Sequence, residues 1–276
     1  MSFYVTKASG EKELFNENKF RKSLERSGAN AATITQLLSE IKEQGELTST
    51  RAIYRWALEQ LKKENLAIAA RYNLKQALLQ LGPTGFPFEK YVAHLMRAQG
   101  YEAQTNQTLA GKCITHEVDL TFSKENSFNF AECKFHNSQA LRTAVQVPLY
   151  VKARFDDVIT ALKTQPDHHK QHYTPWVITN TRFTSQALDF GNCAALSMLS
   201  WSSPKDNALK DLIDRYNVHP ITALTTLSLK QKKQLIEHNF LLCKDIKLHA
   251  AALKQLGIRN INLDQVIAEA EGVCKL

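Results

Sequence analysis

Apolar and polar residues alternate along residues 3–16, FYVTKASGEKELFN, on both sides of the polar ASGEK, and this predicts a short β-hairpin. The apolar period then lengthens and predicts helices. The first runs from about Asn18 to Ser27 and stops at Ser27-Gly28; the second runs from about Ala31 to Glu43, before Gly45. A third covers TSTRAIYRWALEQLKKE, with Thr50 as its N-cap, and a fourth covers NLAIAARYNLKQALLQLG. GPTGFP, residues 82–87, holds two Gly and two Pro in six positions and marks the clearest break in the chain.

Beyond the break, FEKYVAHLMRAQG places Phe88, Val92, Leu95 and Met96 on one helical face and ends at Gly100. Strands are predicted over about 101–108, 114–122 and 128–135. A long helix follows over SQALRTAVQVPLYVKARFDDVITALKTQ, bent or broken at Pro148. TPWVITNT reads as a buried strand, SQALDFGNCA as a helix and ALSMLSW as a strand. That alternation argues for an α/β layered fold. From Val218 on, the pattern is helical and basic, with turns near Gly257 and Gly272. The expected class is a multidomain α/β (α+β) protein with three parts: 1–82, a small hairpin with a helical bundle; 83–216, a mixed sheet flanked by helices; and 217–276, a helical tail.

Length and composition narrow the function classes. The 276 residues suffice for more than one core, and Lys plus Arg exceed Asp plus Glu by 35 to 27. The excess lies in the ends: residues 1–85 hold 13 basic against 9 acidic side chains, 86–216 hold 14 against 13, and 217–276 hold 8 against 5. By charge alone, phosphate-bearing partners suit the ends. The five cysteines are odd in number, scattered and without a C-x-x-C, so neither a disulfide framework nor a zinc site is expected. The first fifteen residues carry charges where a signal peptide needs an apolar run, and no apolar run reaches membrane-spanning length. The expectation is a cytoplasmic protein with no membrane partner.

The chemistry concentrates in HEVDLTFSKENSFNFAECK, residues 116–134. In strict alternation Ile114, His116, Val118, Leu120 and Phe122 share one strand face, and Glu117 and Asp119 share the other. Glu132 and Lys134 also share a face. If the two strands pair through a short loop, Asp119 lies opposite Glu132, with Cβ atoms roughly 5 Å apart. Two carboxylates at that spacing on a buried sheet need a cation between them. A divalent metal with hard oxygen ligands, Mg²⁺ or Mn²⁺, would serve, and so would a cross-strand ion pair with Lys134. The E-x-K spacing alone recurs at Glu17/Lys19 and Glu40/Lys42, so its placement at the end of an apolar strand matters more than the motif. DHHKQH, with Asp167, His168, His169 and His172, reads as a solvated loop rather than a metal site.

Residues 85–201 resemble the PD-(D/E)XK nuclease superfamily, and more narrowly the Mrr-like restriction endonucleases, through GFPFEKYVAHLMRAQGYEA, HEVDLTF, FNFAECKFH and PWVITNTRFTSQALDFGNCAALSMLSW in that order. The resemblance implies a metal-dependent DNA endonuclease with Mg²⁺ (or Mn²⁺) held by Asp119 and Glu132. Glu89 would be the helix-borne acid of the metal shell and Lys134 the catalytic lysine. Glu117 is a possible accessory acid, and Gln146 and Tyr150 match a Q-x-x-x-Y spacing found in some members. His116 reads as a core histidine. Residues 3–82 resemble the ATP-cone module through VTKASGEKELFNENKF, TSTRAIYRWALEQL and AIAARYNLKQAL. This implies ATP or dATP as effector at Lys7, Glu13, Asn16, Lys19 and Thr50. It departs from that family at Ala8, an arginine position. The tail is weakly similar to helix-hairpin-helix modules, with Lys230, Lys232 and Lys233 as DNA phosphate contacts. Cleavage of both strands implies a homodimer or higher oligomer. The rival expectations are a nucleotide-sensing DNA-binding regulator that does not cut, and a structure-specific resolvase or repair nuclease.

Overall fold

A computed structural model describes residues 3–43, 48–165, 172–250, 253 and 262–275. The chain divides into two compact units, residues 79–218 and residues 1–78 with 219–276.

In the first of these, α6 (Phe86–Ala98) opens the chain path and carries Pro87 in its first turn, where the missing N–H costs nothing. Its Phe88, Tyr91, Val92, Leu95 and Met96 are buried. A five-stranded sheet follows, built from β3 (Glu102–Ala110), β4 (Thr115–Lys124), β5 (Ser127–Lys134), β7 (His172–Thr179) and β9 (Ser197–Leu199), side by side in that order. β3, β4 and β5 pair antiparallel, and β5, β7 and β9 pair parallel. A short parallel pair, β6 (Arg142–Thr143) with β8 (Arg182–Phe183), lies outside this sheet. The crossover from β5 to β7 runs through α7 (Gln146–Leu162), α8 (Ser185–Cys193) joins β8 to β9, and α9 (Leu209–Tyr216) closes the unit. Phe155, Val151 and Val158 of α7 pack on Phe130 and Val118, with Phe155 stacked on Phe130 at 5.1 Å between ring centres.

Two expectations change here. The helix after β5 does not span residues 138–165 with a break at Pro148. It begins at Gln146, so Pro148 sits in the first turn, where no intrahelical N–H bond is lost. The single apolar face expected over residues 114–122 also fails. Phe130 stands opposite Thr121 in the register, yet it clusters with Val118, and His116 reaches Asp157 on α7. Strict alternation is therefore interrupted between Val118 and Leu120. The β3–β4 ladder pairs Thr105 with Leu120 and Gln107 with Val118 but skips Asn106, whose φ is 55°. The residue facing that gap is Asp119.

In the other unit, β1 (Tyr4–Thr6) and β2 (Lys12–Leu14) form the expected hairpin. α1 (Glu17–Ser27), α2 (Ala31–Glu43), α3 (Thr50–Glu64), α4 (Leu66–Tyr72) and α5 (Leu74–Leu79) follow, and the fourth expected helix is thus two. Ser49 rather than Thr50 caps α3, accepting from the Ala52 N–H at 3.1 Å. The C-terminal part supplies a 3₁₀ turn (Ile221–Ala223), α10 (Leu229–Glu237), α11 (Cys243–Leu248) and α12 (Leu263–Lys275). Most of residues 1–82 and of 217–276, read from the sequence as separate pieces, builds this one unit, as 1–78 with 219–276. The reason lies in α4. Its residues 67–70 are all apolar, and a helix apolar on every side must be covered on every side. Ile68 and Ala69 belong to the core with α1–α3; Ala67 and Ala70 belong to the core with Leu224, Leu235, Val266 and Val273. Gly272 is not a turn but lies inside α12, where a Cβ would stand 2.7 Å from the Cβ of Ala67. Its lack of a side chain lets α12 approach α4. Gly257, Asp167, His168 and His169 lie outside the described residues, and His172 opens β7.

Lys232 is corrected as well. It is 7 % exposed on α10, and burial pushes its amine down to about 8, with the Glu269 carboxylate opposing. A buried side chain offers no outward phosphate contact. A lysine whose folded pKa lies below its unfolded value makes the fold weaker wherever both states are protonated, and the penalty fades as pH rises. Relative to wild type, Lys232→Met is therefore expected to be more stable at pH 7, by about 2–3 kcal/mol. That advantage should disappear between pH 8 and 10.5. The difference between the two proteins is the proper readout, because the buried Cys243 thiol, pushed up by burial, adds a pH dependence common to both. Urea unfolding of both proteins at a series of pH values checks this, and an advantage that does not change with pH would refute it.

Candidate active site

The β4–β5 ladder ends at Leu120 opposite Ala131, so Asp119 and Glu132 occupy the next positions, where the strands part. Asp119 meets a gap in both its ladders, and its carboxylate replaces the lost backbone partner: Oδ2 accepts from the Cys133 N–H at 2.8 Å. Glu132 is almost wholly buried, at 7 % exposure. Its Oε1 accepts from Lys134 Nζ at 2.8 Å and its Oε2 from Arg154 Nη1 at 2.8 Å. The expected juxtaposition of two acids and a lysine is present.

Asp119, Glu132 and Glu117 line an open cavity of about 550 Å³ together with Ile114, His116, Tyr150 and Arg154. Glu89, in the first turn of α6, is not part of this wall. Its Oε1 folds back to within 3.2 Å of where a Gly85 Cβ would stand. It nevertheless feels the site: burial, followed by the charges of Asp119, Glu132 and Glu117, pushes its carboxyl up to about 7. Burial and then Glu132 push Asp119 up to about 6. Burial works to lower the Lys134 amine, but its bond to Glu132 and the charges of Glu132 and Asp119 prevail, so it is raised and fully cationic at neutral pH.

Tyr150 and Gln146 separate at this point. Tyr150 reaches the cavity wall, with the Arg154 guanidinium 4.9 Å from its ring centre, whereas Gln146 is exposed at the start of α7 and is not on that wall. His116 is a core histidine, as expected, and a neighbour of the site as well. It is buried, bonded through Nε2 to Asp157 at 2.8 Å, and on the wall. Asp157 also accepts from the Cys113 and Ile114 N–H groups at 2.8 and 3.3 Å, and the His116 bond together with these holds its carboxyl well below the usual range. A Cβ on Gly111 would lie 2.0 Å from Asp157 Oδ2, so this anchorage of the β3–β4 turn requires glycine there.

Arg154 was not expected. Besides Glu132, its Nη2 donates to the Glu117 carbonyl. The spacing 146, 150, 154 places it on the helical face of Gln146 and Tyr150, two turns from the former, and this periodicity was the signal available.

The donor set suits a divalent metal: hard carboxylate oxygens whose titration is raised first by burial and then by the negative charge of their neighbours. Among the described residues, however, no three His, Cys, Asp or Glu side chains already stand as a metal cluster. Each Glu132 oxygen already carries a cationic partner, Lys134 or Arg154, with which a metal ion there would compete, whereas the partner of Asp119 Oδ2 is the neutral Cys133 N–H.

In the other unit the five proposed nucleotide residues converge, but their charges are spent on each other. Lys7 pairs with Glu13 at 2.7 Å and Glu11 at 3.1 Å, and Lys19 lies 3.9 Å from Glu13. Asn16 caps α1, and Thr50 Oγ1 donates to the Thr6 carbonyl at 3.5 Å. Lys230 and Lys233 are exposed on α10, and Lys233 lies 3.9 Å from Glu237.

Residues 82–200 match the family model of the Mrr catalytic domain, described as a restriction endonuclease, and residues 219–274 match a model described as AF1548-like, C-terminal. An uncharacterized protein of Archaeoglobus fulgidus is 28% identical over 184 residues, covering 66% of this chain and 99% of that protein. The crystal structure of a protein of unknown function, AF1548, superposes with a TM-score of 0.56 at 27% identity, over 69% of this chain and 98% of that one. Residues 82–200 are thus similar to the Mrr catalytic domain and share its nuclease-like fold, within a mixed α/β protein. Among the described residues no helix is long and apolar enough to cross a membrane.

Proposed function

We propose that this Mrr-like nuclease domain is a divalent-cation-dependent DNA endonuclease. The observation that carries the reading is the meeting of Asp119, Glu132 and Lys134 where the β4–β5 ladder ends, beside an open acidic cavity. Asp119 and Glu132, with Glu89, would hold Mg²⁺ or Mn²⁺. Such an ion supplies a water of lowered pKa and charge stabilisation at a phosphoryl oxygen. Asp119 is held in place by the Cys133 N–H and keeps its other oxygen for ligation. Lys134, cationic because of Glu132, serves as a proton-bearing donor at Nζ. It orients the attacking water or a phosphate oxygen.

The hairpin and helices of residues 1–78 are proposed to sense ATP or dATP through Lys7, Glu13, Asn16, Lys19 and Thr50. For a nucleotide phosphate to engage Lys7, Glu11 and Glu13 must release it. Lys230 and Lys233 are proposed as DNA backbone contacts, and a homodimer as the form that cuts both strands.

Incubation of plasmid and short duplexes with the full chain tests the reading. Cleavage is expected with Mg²⁺ or Mn²⁺, none is expected in EDTA, and the rate should change with ATP or dATP. DNA binding without cutting, under any metal, would favour a non-cutting regulator instead.

A further inference from the structure

Arg154 occupies a position that neither the expected motif nor the proposed mechanism uses. Its guanidinium is fixed from three sides: Glu132 Oε2 at 2.8 Å, the Glu117 carbonyl, and the ring of Tyr150 at 4.9 Å. It comes from α7, whereas the acids come from β4, β5 and α6. Its side chain is 15 % exposed and lies on the cavity wall.

Charge counting explains why it is there. Four acids, Glu89, Glu117, Asp119 and Glu132, stand in this region against two cations, Lys134 and Arg154, both of which pair with Glu132. The acids outnumber the resident cations, and a divalent cation would meet that excess. Glu132, however, already holds a cationic partner on each oxygen, Lys134 on one and Arg154 on the other, and a divalent cation there must compete with both positive charges. The partner that moves away more readily is the one a metal ion would displace. Lys134 stands two residues along the same strand from Glu132, and its tether keeps it beside the carboxylate. Arg154 reaches over from a different element on a long side chain, with the face of Tyr150 as a platform along which a planar cation can shift. Its fork of donors also matches a phosphate as well as it matches a carboxylate.

We propose that Arg154 is the resident counter-ion of the acidic centre: it competes with a divalent cation for Glu132 and, on leaving Glu132, binds a non-bridging oxygen of the DNA phosphate. The inference rests on the nuclease reading above. In this role Arg154 couples two ligands. DNA draws the guanidinium off Glu132 and so tightens metal binding, and metal frees the guanidinium and so tightens DNA binding, by the same factor. If Arg154 merely buttressed Glu132 in a ligating rotamer, the sign would be the opposite, because its removal would weaken metal binding.

The test is calorimetric titration of Mn²⁺ and Ca²⁺ into the full-length wild type, Arg154→Gln and Arg154→Lys, first without DNA and then, for Ca²⁺, with a short duplex oligonucleotide. Without DNA, Arg154→Gln is expected to bind Mn²⁺ more tightly, by roughly tenfold or more. A misfolded variant cannot produce that gain. Arg154→Lys keeps the charge but not the fork and should shift in the same direction by less; it also carries the test if the Gln variant fails to fold. In the wild type the oligonucleotide should raise Ca²⁺ affinity, and most of that rise should vanish in Arg154→Gln. Unchanged or weaker Mn²⁺ binding in both variants overturns the counter-ion role and leaves the nuclease reading intact. Failure of the wild type to bind Mn²⁺ at all overturns both.

Discussion

Lys134→Ala is expected to lower the rate of metal-dependent DNA cleavage by about 10³-fold or more, while DNA affinity changes by less than about tenfold. The asymmetry follows from where Lys134 stands. Its ammonium is the sole cation that both flanks Glu132 on its own strand and is held fully protonated by that carboxylate. Losing it removes a preorganised donor at the reacting centre, where such groups contribute most, but removes only one charge from whatever surface holds the DNA backbone. The fold should tolerate the change, since Glu132 keeps Arg154 on its other oxygen and remains neutralised. Lys134→Arg should recover little of the rate, because a planar fork cannot replace a compact ammonium 2.8 Å from Glu132. Single-turnover cleavage with DNA-binding titrations on the same proteins checks this. A Lys134→Ala rate within about tenfold of wild type would remove Lys134 from the mechanism.

Glu269→Ala is expected to destabilise the unit formed by the two ends of the chain by about 3–5 kcal/mol. Glu269 is 2 % exposed and accepts four hydrogen bonds: from the N–H and hydroxyl of Thr225 at 2.6 and 2.7 Å, and from the N–H and hydroxyl of Thr226 at 3.0 and 2.5 Å. Truncation leaves two backbone donors without an acceptor just before α10 and opens a void beside Val266 and Val273. It also removes the carboxylate that favours the charged form of buried Lys232, so the lysine penalty grows. Glu269→Gln keeps one acceptor and should lose less. Chemical unfolding, with hydrogen exchange at the Thr225 and Thr226 amides, provides the measurement. A loss below about 1 kcal/mol, with those amides still protected, would contradict the argument.

Much of this architecture is local and could be read directly. The hairpin at residues 4–14, the helices of both ends and the strands of the nuclease domain follow from periods of two and 3.6, and those periods depend only on near neighbours along the chain. The pairing of Asp119 with Glu132 was legible for the same reason, because a short turn between two strands limits the register to few choices. Lys134 followed from its two-residue spacing to Glu132. The apolar run at residues 67–70 was also visible, although what covers it was not.

The tertiary structure decided what depends on reach between elements distant in sequence. Arg154 finds Glu132 because α7 packs on β5, and nothing within the helix specifies that contact. Strict alternation on β4 failed at Asp119 because its neighbour Asn106 on β3 leaves the ladder there, a feature set by the partner strand. Lys232 looked like one more basic residue of a solvated helix, and α10 turned it inward because that face packs on Val266 and Val273 in the shared core. The union of the two ends follows the same rule. An apolar face in the sequence requires burial, and only the fold chooses the surface that supplies it.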